Sequence, residues 1–109
     1  SIPTEIGQLT FLASLSMTNA TLTGTIPTEM GLLTDLQRIW LYGNSLTGTV
    51  PNELRALDTL EVLEVQRNEL TGTMPNDICV RVNAATYTHK SLAADCGELS
   101  CEDCCTFCD

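Results

Sequence analysis

Apolar positions along this chain recur in blocks, and residues 36–57 (LQRIWLYGNSLTGTVPNELRAL) hold one block entire. Residues 12–33 carry the same pattern 24 positions earlier, and residues 60–78 carry it 24 positions later. The opening is the back half of a further copy, with Ile2, Pro3, Glu5, Gly7 and Leu9 in register with Ile26, Pro27, Glu29, Gly31 and Leu33. A period that never slips predicts a solenoid, in which each repeat buries its apolar face only against its neighbours. Within a repeat, the spacing of Leu36, Ile39 and Leu41, and of Leu60, Leu63 and Val65, predicts a short strand with one buried face. Asn44 and Asn68 follow in a tight bend, where a short amide bonds backbone groups of the bend and of the next rung. Gly24, Gly48 and Gly72 mark a second bend that calls for positive φ. Pro27, Pro51 and Pro75 open the outer segment. Pro3 begins a helical turn in the partial rung, whose Ile2, Ile6 and Leu9 are expected to face inward.

The unit LxxLxLxxNxLTGTxPxExxxL resembles the plant-type leucine-rich repeat, over residues 1–79. The resemblance implies an α/β solenoid: a right-handed superhelix with a parallel β-sheet on its concave side. It also implies a second short strand near LTGT and 3₁₀ or irregular turns on the convex side. Ala94-Asp95-Cys96, with Cys101, Cys104, Cys105 and Cys108, resembles the cysteine-rich tail of diatom and other algal proteins of this family. Residues 80–109 therefore read as a connection followed by a disulfide-rich C-terminal cap. Three departures stand out. Ala20 occupies the asparagine position of the first full rung, Arg81 replaces an expected leucine, and residues 80–91 lose the period. Leu92-Ala93-Ala94 then reads as a last strand of the sheet, five residues later than the period requires.

Composition narrows the function. The chain of 109 residues is one domain, and fourteen acids against five bases give a net charge of −9. Phosphate-backbone binding needs a basic face, so nucleic acid is excluded as a partner. No run approaches the roughly 20 apolar residues of a membrane-spanning helix. Starting inside a repeat, the sequence reads as a fragment or a processed form. Six cysteines, five of them in residues 96–108, point to an oxidising compartment: the secretory pathway, the cell exterior or the ectodomain of a membrane protein. Their even count favours disulfides among Cys79, Cys96, Cys101, Cys104, Cys105 and Cys108, with Cys79 tying the last repeat to the tail. Six cysteines allow 15 pairings, and the CxxC spacing keeps zinc open as the alternative.

The outward strand positions are the candidate binding surface. They are Ser14, Ser16 and Thr18, then Arg38, Trp40 and Tyr42, then Val62, Glu64 and Gln66. Trp40 and Tyr42 share a face, flanked by Arg38, Glu64 and Gln66, as an anchor for a protein, peptide or carbohydrate ligand would. The bland alternative is that Trp40 only packs along the sheet. Four strands about 4.8 Å apart give a few hundred Å², below the ~800 Å² per partner of a standard protein interface. The Thr-Gly-Thr sets at 23–25, 47–49 and 71–73 stack into an array like those of ice-binding solenoids, or serve as ordinary β-favouring surface. Glu5, Glu29, Glu53 and Asp77 form an acidic column that suits either a cation or the positive end of a helical turn. His89, the one histidine, lies in the irregular connection with no nucleophile placed beside it, so no catalytic residue, metal site or cofactor is expected. Asn19-Ala20-Thr21 is an N-glycosylation sequon. Together these features predict a non-catalytic recognition module, and the resemblance implies that it is receptor-ectodomain-like or inhibitor-like. A structural subunit of a larger assembly is the alternative, and ice binding a minor one.

Overall fold

The computed structural model describes residues 1–73, 78, 91–94, 99–100 and 107–108. Its strands are β1 (Ser14–Ser16), β2 (Thr23–Thr25), β3 (Arg38–Trp40), β4 (Ser45–Gly48), β5 (Val62–Glu64), β6 (Glu69–Leu70), β7 (Gly72–Thr73), β8 (Ser91–Ala94), β9 (Leu99–Ser100) and β10 (Phe107–Cys108). One sheet is five-stranded and parallel, in the order β1-β3-β5-β8-β10. A second holds β2, β4 and β6 at the Thr-Gly-Thr bend, and a third pairs β7 with β9. The opposite side carries 3₁₀ helices at Thr4–Gln8, Thr28–Leu32 and Asn52–Ala56. Pro3, Pro27 and Pro51 stand immediately before them in extended conformation, so the missing proline N–H falls where no helical bond is due.

The 24-residue period becomes the spacing of the main sheet, where Ser14 pairs with Arg38 and Arg38 with Val62. Inward residues therefore stack in columns between the sheet and the 3₁₀ helices. Leu36 meets Leu60, Ile39 meets Leu63, and Leu33, Leu57, Met30 and Leu54 close the core from the other side, all buried. Val62 and Leu63 pair with Ser91 and Leu92, 29 residues on, so the late strand expected at 92–94 does join the sheet. Beyond it β10 adds a fifth strand where the sequence pattern gave four.

The asparagine positions behave as hydrogen-bond hubs, and among the described residues they bond their own bend and the preceding rung. Asn44 Nδ2 donates to Met17 O at 2.7 Å and Leu41 O at 2.9 Å, while its Oδ1 accepts from the N–H groups of Ala20 and Leu22. Asn68 repeats this one rung later with Leu41 O, Val65 O and the Leu46 N–H. Ala20 thus needs no side chain of its own to be held, because Asn44 binds its backbone. Gly24, Gly48 and Gly72 have φ of 79°, 79° and 87°, as the bend requires.

Two expected placements differ. Leu9 is 43% exposed, whereas its counterpart Leu33 is fully buried. Among the described residues, the 3₁₀ helix before Leu33 lies between two others, whereas the one before Leu9 packs against one. Val62, expected to face outward to solvent, is only 4% exposed. It stands in mid-sheet between β3 and β8, beside the side chains of Arg38 and Glu61.

Candidate functional site

The concave face is built by register. Ser14, Arg38, Val62 and Ser91 form one row across the strands, and Ser16, Trp40, Glu64, Ala93 and Phe107 form the next. A third row, Thr18, Tyr42 and Gln66, continues past the strand ends. It is held by the Asn19 N–H on Tyr42 O at 3.1 Å and the Gly43 N–H on Gln66 O at 3.2 Å. Arg38, Trp40, Tyr42, Glu64 and Gln66 therefore stand on adjacent strands of one face, each half-buried, with exposed Ser14 and Ser16 beside them. Half-burial leaves Trp40 and Tyr42 packed enough to be held and open enough to be touched. Their backbone is fixed by neighbours on both sides, so little order is lost on binding.

The face is less charged than its sequence suggests. Arg38 Nη2 lies 3.0 Å from Glu61 Oε1, and the Glu61 side chain is 3% exposed. The arginine is thus committed to a buried carboxylate. Glu61 was illegible in the repeat, where it occupies a nominally variable position. The only hint was a basic residue 23 positions earlier. Glu64 has no ion-pair partner among the described residues. Gln66 Oε1 is buried and receives no hydrogen bond among the described residues. Phe107 was also missed, since nothing periodic marks the tail; its backbone pairs with Ala93 in the row of Trp40.

Asn19 and Thr21 of the sequon are exposed, and Asn19 has φ of 50°, on a bend at the rim of the concave face. Thr23, Thr25, Thr47, Thr49 and Thr71 are exposed as well. Their sheet is sheared, however: Thr25 pairs with Thr47 and Thr47 with Glu69, a step of 22 residues rather than 24. The hydroxyls of Thr47 and Thr71 also lean on the carbonyls of Gly24 and Gly48. Glu5, Glu29 and Glu53 sit in the first turns of the 3₁₀ helices. Among the described residues no three potential ligands converge as a metal would need. Asp77, His89, Cys79, Cys96, Cys101, Cys104 and Cys105 lie outside the described residues, as does the side chain of Cys108, so the proposed cap linkages are not seen.

The sequence model of the Leucine Rich Repeat family matches residues 35–57 and 59–80. No curated protein matches the chain in sequence. Among solved structures, the chain is similar to the plant peptide hormone receptor RGFR1 in complex with RGF2. There it is 32% identical with a TM-score of 0.69, over 86% of this chain and 15% of that one. It is similar to the Arabidopsis receptor kinase HAESA, solved with the peptide hormone IDA and the co-receptor SERK1. That match is 32% identical with a TM-score of 0.73, over 87% and 16%. It is also similar to a plant ice-binding protein, at 32% identity and a TM-score of 0.64, over 73% and 26%. The chain spans about a quarter or less of the length of each.

Proposed function

The chain belongs to the leucine-rich-repeat family, and from that premise we propose that it is a non-catalytic recognition module whose concave sheet binds a peptide or protein ligand outside the cytoplasm. The observation that carries this reading is the Trp40/Tyr42 pair, half-buried on and just after β3, the second strand of a five-stranded face, and bordered by Glu64 and Gln66. The two similar receptors, which were solved with peptide hormones, support it. Five strands about 4.8 Å apart make a face about 20 Å wide, a fit for a peptide or the edge of a protein. Cysteine pairing and an N-glycan at Asn19 belong to the same extracellular reading.

The test is capture from the native source with two folded baits, the wild type and a Trp40→Ala/Tyr42→Ala variant. Recognition predicts a partner held by the first and lost by the second. A partner held equally by both would move the contact to the flanks or tail and favour the alternative of a structural subunit. Ice binding is a second reading, supported by the likeness to the plant ice-binding protein and by the exposed threonines. It predicts faceted ice growth that is lost in Thr25→Tyr/Thr49→Tyr. The sheared register, which staggers the threonines, weighs against it.

A further inference from the structure

We infer that the concave face recognises a cationic side chain, an arginine of a basic peptide, stacked on Trp40, paired with Glu64 and donating to Gln66. The inference rests on the recognition reading and names the ligand chemistry of the same site.

Three separate observations converge on it. Trp40 and Glu64 are register partners on adjacent strands, about 4.8 Å apart at the backbone, with both side chains on the open face. An aromatic ring beside a carboxylate is a receptor for a cation, because the ring's negative face attracts a charge within about 6 Å of its centre. Second, the positive charge already on this face is spent: Arg38 is held at 3.0 Å by the buried Glu61. It neither neutralises Glu64 nor strongly repels an incoming cation, since Glu61 cancels most of its field. Third, Gln66, two residues beyond Glu64 on the same face, buries a carbonyl oxygen that no donor among the described residues reaches. An unpaired acceptor is costly, and turning the amide outward to meet a ligand N–H removes that cost.

A guanidinium meets all three demands at once. It is planar and weakly hydrated, so it stacks, and its five N–H donors serve a carboxylate and an amide oxygen together. Ammonium can make the ion pair but stacks less well, so arginine is preferred to lysine. The chain's net charge of −9 adds a long-range attraction for a basic partner but cannot place it.

Trp40 is the only tryptophan, so its fluorescence reports the site directly. The probe is the capped pentapeptide acetyl-Ala-Ala-Arg-Ala-Ala-amide, titrated into the millimolar range, beside otherwise identical peptides with citrulline or glutamate at the centre. The expected result is a saturable emission change with the arginine peptide, at least about tenfold weaker binding of the citrulline peptide, and a comparable loss in Glu64→Gln. Gln66→Leu should weaken binding less than Glu64→Gln. Glu69→Gln, which removes an exposed acid from the other sheet, should change nothing. Equal weakening by Glu69→Gln would reduce the effect to general attraction and overturn the inference. So would citrulline or glutamate peptides binding as well as arginine, or no saturable change at all. If those results came with a native partner lost in the Trp40→Ala/Tyr42→Ala bait, only the cation chemistry would fall. Without such a partner, the recognition reading would fall with it.

Discussion

Asn44 and Asn68 occupy equivalent positions, yet their surroundings differ. Asn68 is buried, and its amide serves Leu41 O, Val65 O and the Leu46 N–H between two covered rungs. Asn44 serves a first rung whose bend, at Asn19 and Ala20, is exposed, so water can replace part of what its amide supplies. Deleting an amide leaves its partners unpaired, and the penalty is full only where water cannot enter. Asn68→Ala is therefore expected to cost about 2–4 kcal/mol and Asn44→Ala about half as much, read from denaturant midpoints at unchanged slope. Equal losses would show that burial does not set the scale. The asparagine position was legible because its spacing repeats. Which rung each amide serves was not, because that depends on the direction in which rungs stack. The Glu61 carboxylate was hidden for a related reason: a pattern of apolar positions carries no information about a polar side chain buried by one neighbour's arginine.

At the level of elements, the close stacking of the 3₁₀ helices depends on a residue with no side chain. A Cβ built on Gly31 would lie 2.5 Å from the Glu53 carbonyl oxygen, and one on Gly7 would lie 3.0 Å from that of Glu29. The Gly31 clash is with backbone, which cannot swing aside. Gly31→Ala should cost about 1–3 kcal/mol, and Gly7→Ala less, by thermal or chemical denaturation. On the sheet side, Arg38→Ala strips the partner from a buried carboxylate and is expected to cost about 2–4 kcal/mol, discounted from a fully buried pair because Arg38 is 37% exposed. Arg38→Ala/Glu61→Ala together should cost less than Arg38→Ala alone, and a simple sum of the two single effects would deny the coupling. The alternation in the repeats was enough to place β1, β3 and β5, since each strand's buried face follows from a two-residue period. It could not place β10, because a two-residue strand at Phe107 and Cys108 has no period to read.

For the whole molecule, what matters is how each rung is covered by its neighbours. A solenoid gains its stability from interfaces between neighbours, so a terminal rung is buried on one side only. Past β5, β8 and β10 extend the sheet, and the six cysteines gather in and around that region of the sequence. If these cysteines are bridged, each important bridge restricts the unfolded chain and contributes roughly 2–5 kcal/mol. Reductant should then lower the melting temperature by several degrees and expose the amides of β8 to hydrogen exchange before those of β3, because loss is local where rungs are coupled only to neighbours. A chelator without reductant should do nothing under this reading, and an effect of the chelator alone would instead assign the cysteines to zinc. A melting temperature indifferent to both would mean that pairing of β8 with β5, through Val62, Leu63 and Glu64, suffices to close the stack. The concave face bears on the same outcome. Glu64 sits directly beside β8, so reduction that frees β8 should also weaken any ligand held at Trp40 and Glu64, and the two losses should appear at the same concentration of reductant.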